Sequence, residues 1–268
     1  MSLPDSSYLV NVGQLRYIQS LCEPAHSRNP DAVVGAFLSL PQRLACIVRG
    51  TLLRPRLRAN PFYHYVLART RYYDALFLQA VNDSVACIVN IGCGTDTRAY
   101  RFAPLLQRRG ITVLECDQPR AIHAKRELAA RRWSTTHVRY VSLDLNEKPW
   151  IGFARALDQS PAGRTFVMME GVSPYIERTK FEAFLRLLSA MLEPGSVLAY
   201  DFKLPGVAPG FGHPESFRLP PERDAVAAYH RPLGFQLNDL ETSAGLTRRL
   251  LPRASPLFEE DCLACLTC

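Results

Sequence analysis

The chain has 268 residues, of which 47% are hydrophobic and 21% are charged. This ordinary composition excludes a disordered, collagen-like or coiled-coil chain, and the length suits one large domain with an appendage or two domains. The formal net charge of +7 suits an anionic substrate or surface without establishing one. No run of about 18 apolar residues predicts a transmembrane helix, and the first residues, MSLPD, lack the pattern of a signal peptide. We expect a cytoplasmic protein that makes no contact with a membrane.

The N-terminal region, residues 1–82, is predicted to be a helical cap region, because no convincing alternating strand occurs in it. Apolar residues such as Val66 and Tyr73 recur at helical spacing. Asn60 followed by Pro61 is a typical helix start. An arginine-rich stretch before that start is interpreted as a solvated or linker segment. Its residues are Arg49, Arg54, Arg56 and Arg58.

From residue 83 to the end, predicted strands alternate with predicted helices. The first strand, at 85–91, is a nearly continuous apolar run, as a strand buried on both faces requires. Further strands are predicted at 111–116, 138–143, 165–169, 196–200 and 262–266. The helices between them are expected at 97–108, 119–132 and 178–192. Repeated β-α units of this length predict an α/β domain with a mainly parallel, doubly wound sheet over residues 83–268. The Pro- and Gly-rich residues 203–235 are expected to be irregular.

Eight cysteines occur in the chain. Cys87, Cys93 and Cys116 fall in or beside predicted buried strands, and we interpret them as reduced core residues. The C-terminal C-x-x-C-x-x-C spacing resembles part of a metal site, but no second pair of ligands stands at finger spacing. We therefore expect no metal at Cys262, Cys265 and Cys268.

A glycine turn follows the first strand of the α/β region, in the segment VNIGCGTDTR at 89–98. Gly92 and Gly94 permit a tight turn and let a ligand approach the backbone. Such turns form small-molecule sites at the carboxyl end of a parallel sheet. Asp117 follows Gly94 by 23 residues, at the end of the second strand, where a carboxylate can bind both hydroxyls of a ribose. The alternative for Asp117 is a helix cap before Pro119.

The turn favours S-adenosylmethionine over a dinucleotide cofactor. A dinucleotide fingerprint requires a third glycine at the position of Thr97. The carboxylate of Asp96 would repel a pyrophosphate at the helix start, whereas it would attract the ammonium of the methionine moiety. An NAD-dependent oxidoreductase remains a distant alternative, because it shares the glycine turn and Asp117.

Five motifs follow one another along the chain: ART at 68–70, VNIGCGTDTR at 89–98, ECDQP at 115–119, LDL at 143–145 and MEGVSPY at 169–175. In their joint order they resemble the leucine carboxyl methyltransferase (protein phosphatase methyltransferase) family, particularly its shorter bacterial O-methyltransferases. The resemblance extends from about residue 60 to the end. It implies a class I methyltransferase fold with a Rossmann-like sheet, and S-adenosylmethionine as the cofactor.

The resemblance also implies roles for the residues that contact the methionine and ribose moieties. Arg69 would bind the carboxylate of the methionine moiety, and Gly92 and Gly94 would pass beneath it. Asp117 would hold the ribose, and Asp96 lies in the same turn. Pairing with Asp74 on its own helix is the alternative for Arg69.

Further roles follow for the later motifs. Asp144 and Leu145 would flank the adenine, and Asp144 would accept from the exocyclic amine. Glu170 would lie near the methionine amine and the transferred methyl, which makes it a candidate catalytic residue together with Tyr175. The alternatives are a turn for Asp144, a helix cap for Glu170 and a core-covering role for Tyr175. Arg16 is the nearest candidate for an N-terminal lysine through which the family also contacts the cofactor.

The expected activity is O-methylation of a carboxylate in a small metabolite or peptide. A carboxylate with a pKa near 4 is already ionised at neutral pH and needs no base, and none of the six histidines lies in a catalytic pattern. A phenolic or alcohol hydroxyl is the alternative acceptor, and it would need a base. We expect Arg71, Tyr72 and Tyr73 to cover the pocket and bind the acceptor.

An RNA-binding module would also explain the net charge. The basic stretch lacks the interleaved aromatic residues that stack on bases. We therefore expect no nucleic-acid partner, and the sequence leaves the oligomeric state open.

Overall fold

The computed structural model describes residues 11–207 and 212–268; the start of the chain, where no signal peptide is expected, lies mostly outside these ranges. The strands are β1 Cys87–Ile91, β2 Thr112–Asp117, β3 Val138–Ser142, β4 Thr165–Met169, β5 Val197–Lys203, β6 Gln236–Thr242 and β7 Asp261–Thr267. They form one seven-stranded sheet in the order β3-β2-β1-β4-β5-β7-β6. The pairs among β1 to β5 are parallel, and β7 runs antiparallel to both β5 and β6. The mainly parallel α/β sheet is thereby confirmed.

Helices connect and cover these strands. In the N-terminal part they are α1 Val12–Cys22, α2 Leu40–Leu52, α3 Arg54–Arg58 and α4 Pro61–Asn82. The helices after β1 are α5 Arg98–Arg101, α6 Ala103–Arg109, α7 Pro119–Ala130, α8 Ile151–Asp158, α9 Arg178–Met191, α10 Arg223–His230 and α11 Ser243–Leu250. The basic stretch expected to be solvated or a linker is therefore helical, in α2 and α3.

The sequence prediction contains no helix at α8 or α11, and two further elements also differ from it. The segment 203–235 is not irregular throughout, because α10 buries Val226 and His230, which lie four residues apart on one face. Strand β6 was not predicted, since its residues are half-exposed or exposed and its register is interrupted between Leu237 and Asp239. In both elements the apolar pattern is too short or too weak to be recognised.

The order of the strands creates a switch point between β1 and β4. On one side of β1 the chain adds β2 and β3, and on the other side it adds β4 and β5. Ile91, the last residue of β1, pairs with Cys116 on β2 and with Met169 on β4. The loops after these three strands therefore begin at the same edge of the sheet, where ligands of open α/β sheets bind.

Helix α4 connects the N-terminal helices to the sheet. It begins as predicted, with the side chain of Asn60 accepting a hydrogen bond from the backbone N–H of Phe62, and Pro61 in the first turn. Tyr73 and Phe77 are buried in the same apolar cluster as residues of β1 and β4. The helical segment thus shares a core with the sheet, and a domain boundary at residues 82 and 83 stays a prediction.

All eight cysteines are free thiols. Strand β7 points alternate side chains to opposite faces of the sheet, so Cys262 and Cys265, three residues apart, face opposite sides. This geometry does not bring their sulfur atoms together as ligands of one ion. In the part of the chain that the structure describes, no helix has the length and apolar character needed to cross a membrane.

Candidate functional site at the switch point

A cavity of about 160 Å³ lies at the carboxyl ends of β1 and β4. Its walls come from the start of α1, from α4 and from the loops after the two strands. Five residues predicted from the sequence line it, together with Arg16: Arg69, Gly92, Gly94, Asp96 and Glu170. The folding of distant segments therefore brings these side chains to one place, as the motifs imply.

The glycine turn forms one wall of the cavity, and both of its glycines have positive φ angles, +64° at Gly92 and +37° at Gly94. A Cβ on Gly92 would lie 2.4 Å from Cγ2 of Val172, so no larger residue fits there without movement. Beside Gly94, no heavy atom lies closer than 3.9 Å to a built Cβ. This glycine leaves space over bare backbone, which a ligand can approach.

Asp117 lies directly against this turn. Its Oδ2 accepts a hydrogen bond of 2.7 Å from the backbone N–H of Gly94, and its Oδ1 accepts one of 2.7 Å from the N–H of Gln118. Helix α7 starts after Gln118 without a side-chain cap, so the helix-cap alternative for Asp117 is wrong. The carboxylate is half-buried at the edge of the sheet, beside the glycine backbone.

Arg98 is the most central charged residue of the site, although the sequence analysis assigned it no role. Its side chain is fully buried. Its guanidinium lies 2.7 Å from Oδ1 of Asp74 and 3.0 Å from Oε2 of Glu170, and it also binds Asp96. A further hydrogen bond of 3.2 Å goes to the carbonyl of Thr70 on α4. Arg98 thus joins the glycine turn, α4 and the loop after β4.

Asp96 keeps its negative charge inside the protein. Burial alone would raise its pKa, but the positive charges of Arg98, Lys125 and Arg16 outweigh this effect and hold the pKa well below its usual range. Its Oδ1 also accepts a hydrogen bond of 2.7 Å from the backbone N–H of Arg98. Asp96 therefore carries the negative charge that we expect beside a ligand's ammonium, and it already forms an ion pair with Arg98.

Arg69 forms two ion pairs at the edge of the sheet. Its Nη1 lies 3.0 Å from Oδ2 of Asp201, and its Nε lies 3.2 Å from Oε1 of Glu170. The alternative pairing with Asp74 is wrong, because Asp74 binds Arg98 and Arg101 instead. Glu170 likewise does not cap a helix.

Asp201 is the second site residue that the sequence analysis missed. It lies in β5, and its Oδ1 accepts a hydrogen bond of 2.6 Å from the backbone N–H of Gly171. Burial raises its pKa to about 6, although Arg69 counteracts this shift. A carboxylate near the carboxyl end of a predicted parallel strand is a signal that could have identified it.

These residues belong to one network of ion pairs that extends to α1. Arg16 reaches Asp31 at 3.3 Å, and its Nη2 donates a hydrogen bond of 3.2 Å to Oγ1 of Thr95. The Nε of Arg16 is buried without a hydrogen-bond partner among the described residues. The network contains four arginines and five carboxylates, with a formal charge of −1: Arg16, Arg69, Arg98, Arg101, Asp31, Asp74, Asp96, Glu170 and Asp201. It therefore suits a ligand with a net positive charge.

Lys125 supports the glycine turn from α7. Its Nζ lies 2.8 Å from Oε1 of Glu115 and donates a hydrogen bond of 3.2 Å to the carbonyl of Cys93. The three residues are buried. The sequence does not predict this contact, because a lysine in a polar helix is normally exposed.

The residues expected near the adenine and the acceptor lie outside the cavity. Asp144 accepts a hydrogen bond of 2.9 Å from the backbone N–H of Asn146 and so begins a turn. It also accepts one of 2.9 Å from Nε2 of Gln118, the residue that follows Asp117. Leu145 is buried in the core. Tyr175 is 56% exposed, in a 3-10 helix at Ser173–Tyr175. The roles of these residues stay predictions.

The expected cover of the pocket is composed differently. Tyr72 and Tyr73 are buried, and the hydroxyl of Tyr73 donates a hydrogen bond of 3.2 Å to the carbonyl of Met169. Arg71 donates to the carbonyls of His26 and Arg28. None of these three residues lines the cavity, and the N-terminal residues that do are Asn11, Val12 and Arg16 at α1 and Arg69 on α4.

A larger cavity of about 510 Å³ lies between α1, α4 and residues 250–255. It shares no lining residue with the cavity at the switch point. Volume alone does not identify a reaction site. The smaller cavity has the strand ends, the glycine turn and the buried charges.

The fold and the site define an α/β protein with the class I methyltransferase fold and a charged ligand site at its switch point. A family model described as leucine carboxyl methyltransferase matches residues 47–189, more than half of the chain. The chain belongs to the leucine carboxyl methyltransferase family.

Curated relatives and solved structures carry related names. Two relatives are provisionally named S-adenosyl-L-methionine-dependent methyltransferases. The protein from Mycobacterium sp. (strain KMS) is 34% identical over 154 residues, which cover 57% of this chain and 50% of the relative. The protein from Mycolicibacterium paratuberculosis is 32% identical over 172 residues, which cover 63% of this chain and 52% of the relative. The matched part thus spans about half the length of these relatives. Among solved structures, the magnesium protoporphyrin IX methyltransferase of Synechocystis PCC 6803 aligns with a TM-score of 0.49 at 12% identity, covering 78% of this chain and 87% of that one. N-methyltransferase NodS of Bradyrhizobium japonicum WM9 aligns with 0.47 at 20% identity, covering 79% and 90%.

Proposed function

We propose that the protein is an S-adenosylmethionine-dependent O-methyltransferase that acts on a carboxylate of a small metabolite or peptide. One observation carries the proposal: the glycine turn, Asp117 and the ion-paired Arg69 and Glu170 converge at the switch point of a parallel sheet. Membership of the leucine carboxyl methyltransferase family supports it.

The charges of the site fit the methionine end of the cofactor. S-adenosylmethionine has one carboxylate, one ammonium and one sulfonium, and its net charge of +1 complements the formal −1 of the network. Arg16 and Arg69 are the groups for the carboxylate, since guanidinium donors form strong charge-assisted bonds. Asp96 and Glu170 are the groups for the ammonium. The unpartnered Nε of Arg16 is a donor that a ligand carboxylate would satisfy.

The nucleoside end would lie outside the cavity, along the ends of β2 and β3. A volume of about 160 Å³ is below the roughly 300–1,000 Å³ of a pocket that encloses a drug-sized ligand, so it accommodates only one end of the cofactor. Asp117 would accept from the ribose hydroxyls, and Asp144 and Leu145 would flank the adenine. Asp117 lies close to Asp144 through Gln118, whose side chain donates to Asp144.

When bound, the cofactor supplies an electrophilic methyl group on its sulfonium. A carboxylate oxygen of the acceptor would take up this methyl group as the S–C bond breaks and leaves its electron pair on sulfur, and no proton would need to move. The protein has to hold the acceptor oxygen about 3–3.5 Å from the methyl and exclude water, and this alignment accounts for up to roughly 7–11 kcal/mol of the barrier.

Glu170, the carboxylate that we expect nearest to the transferred methyl, supports an acceptor that is already ionised. Both of its carboxylate oxygens are held in ion pairs, one by Arg69 and the other by Arg98. A phenol or alcohol would need a base, so a hydroxyl acceptor is the second candidate. We also expect a cytosolic location, in keeping with eight free thiols.

The test is incubation of the protein with methyl-labelled S-adenosylmethionine and a panel of carboxylic acids, phenols and carboxyl-terminal peptides. We expect a labelled product that releases labelled methanol in mild alkali, as an ester does. A product stable to alkali would contradict the carboxylate acceptor. An absence of transfer together with an absence of S-adenosylhomocysteine binding would contradict the whole proposal.

A further inference from the structure

Helix α2 presents an unusual outer face. Its inner face buries Cys46 and Gly50, and Gly50 lies so close to α1 that an added Cβ would be 2.4 Å from Sγ of Cys22. Its outer face carries large apolar side chains, which we call the apolar arc. At about 100° of rotation per residue, these side chains span roughly 140° of the circumference of the helix. The arc consists of Leu40, Leu44, Ile47, Val48 and Leu52, with exposures of 61%, 55%, 43%, 54% and 71%.

This concentration of exposed apolar side chains is not repeated elsewhere in the described residues. Of the nine exposed large hydrophobic side chains found there, six lie within residues 40–53. Contiguous apolar surface of this kind marks an interaction site rather than ordinary surface variation.

Positive charge surrounds the arc. Residues 40–58, which include α2 and α3, contain five arginines and no aspartate, glutamate or lysine. Arg43 and Arg49 flank the arc on the helix, and Arg56 follows in α3. These three have no carboxylate within salt-bridge distance among the described residues, whereas Arg54 and Arg58 pair with Glu23.

We infer that α2 and α3 form a surface that binds an anionic lipid bilayer. The apolar arc would enter the acyl region, with the helix lying in the plane of the interface, and the flanking arginines would bind lipid phosphates. A second copy of the chain fits this face poorly, because it would bring two sets of arginines together without any acidic residue between them. The combination of apolar and positive surface matches a bilayer, where phosphates border hydrocarbon.

This inference does not depend on the proposed function. It replaces the expectation of no membrane contact, which rested on the absence of a spanning segment. A helix that lies on a membrane needs neither the length nor the continuous apolar character of one that crosses it.

The test is co-sedimentation of the full chain with vesicles of phosphatidylcholine, with and without about one-third phosphatidylglycerol. We expect binding to the anionic vesicles, weakened by added salt, and little binding to phosphatidylcholine alone. The double variants Leu44→Ser with Val48→Ser and Arg49→Gln with Arg56→Gln should each lower the partition coefficient by about tenfold or more. All four side chains are exposed, so thermal unfolding should stay close to that of the wild type.

Matched controls remove equivalent groups at other surfaces. Ile151→Ser removes an apolar side chain that is 60% exposed on α8, and Arg108→Gln with Arg109→Gln removes two exposed arginines on α6. Both should bind within about twofold of the wild type. The inference is overturned if the wild type stays in the supernatant, if the controls lose binding equally, or if the apolar pair has no effect. A dimer in light scattering that Leu44→Ser with Val48→Ser dissociates, without vesicle binding, would assign the face to a second copy and also overturn it.

Discussion

Arg98 holds the charged wall of the candidate site together. It contacts three carboxylates from three segments of the chain, on α4, in the glycine turn and after β4. Because it is fully buried, its charge has no access to water. Removing one partner of a buried ion pair leaves the others uncompensated, and this costs more than the pair itself contributes.

Replacing Arg98 therefore tests the network directly. We expect Arg98→Met to lower the free energy of unfolding by about 3–5 kcal/mol, and Arg98→Lys to lower it less, since an ammonium keeps the charge but loses the planar fork of donors. Urea unfolding measures both values. Arg109→Met, at an exposed site, is the control and should change the stability by less than about 0.5 kcal/mol. Equal stability of Arg98→Met and the wild type would show that the carboxylates do not need this cation.

The lowered pKa of Asp96 makes the stability of the protein depend on pH. Its pKa in the folded protein lies below its unfolded value of about 4, so the unfolded chain takes up a proton first as the pH falls. The stability that Asp96 contributes is present above about pH 4 and is lost at lower pH. In Asp96→Asn, the unfolding free energy should fall by about 3 kcal/mol at neutral pH.

The slope of stability against pH distinguishes this account from simple loss of packing. Between about pH 5 and pH 3, the variant's slope should be shallower than that of the wild type by up to about 1.4 kcal/mol per pH unit. Urea titrations at several pH values measure the difference. Parallel curves for the two proteins would contradict a depressed pKa at Asp96.

At the scale of elements, the close packing of α1 and α2 depends on a single small residue. Gly50 allows the two helices to approach, with Cys22 and Ile18 of α1 at 2.4 and 3.0 Å from a built Cβ. The same contact fixes the orientation of α2 and so directs the apolar arc outward. The sequence alone does not reveal this, since a lone glycine within a helix has several possible causes.

Two glycine-to-alanine substitutions should change the stability of the protein in opposite directions. Gly50→Ala should destabilise the protein by about 1–3 kcal/mol, because the new methyl group overpacks the helix contact. Gly152→Ala on α8 adds a methyl group where no atom lies within 4 Å, and it should stabilise the protein by about 0.5 kcal/mol through better helix propensity. Thermal unfolding of both variants measures the difference. Stabilisation by both would show that α1 and α2 are not closely packed at Gly50.

At the scale of the whole molecule, the sequence predicts the sheet well but the charged network only in part. Strands β1, β4, β5 and β7 are mostly apolar, whereas β2 and β3 are mixed and are predicted from the alternation of strands with helices. The turn at Gly92 and Gly94 is readable because positive φ angles favour glycine. The partners of Arg69 are not readable in this way. They are Glu170 and Asp201, which lie 101 and 132 residues further along the chain, and only the folded sheet brings them together.

The surface of the molecule likewise contains features that the sequence alone does not predict. The arginines from Arg49 to Arg58 suggest a solvated or linker segment when their neighbours are unknown, whereas the folded chain places them on and beside an exposed apolar helix face. Tyr175 shows the converse, since its motif indicates a pocket but its side chain lies on the surface.

The most direct test of the account is calorimetric titration of the wild type and Asp117→Ala with S-adenosylhomocysteine, and of the wild type with NADH. We predict that the wild type binds S-adenosylhomocysteine and not NADH, and that Asp117→Ala weakens binding by at least about tenfold, because the variant loses the hydrogen bonds to the ribose. Asp158→Ala, at an exposed position on α8, should bind as the wild type does. Binding of NADH in place of S-adenosylhomocysteine, or equal affinity of Asp117→Ala and the wild type, would contradict the proposed use of the switch-point site.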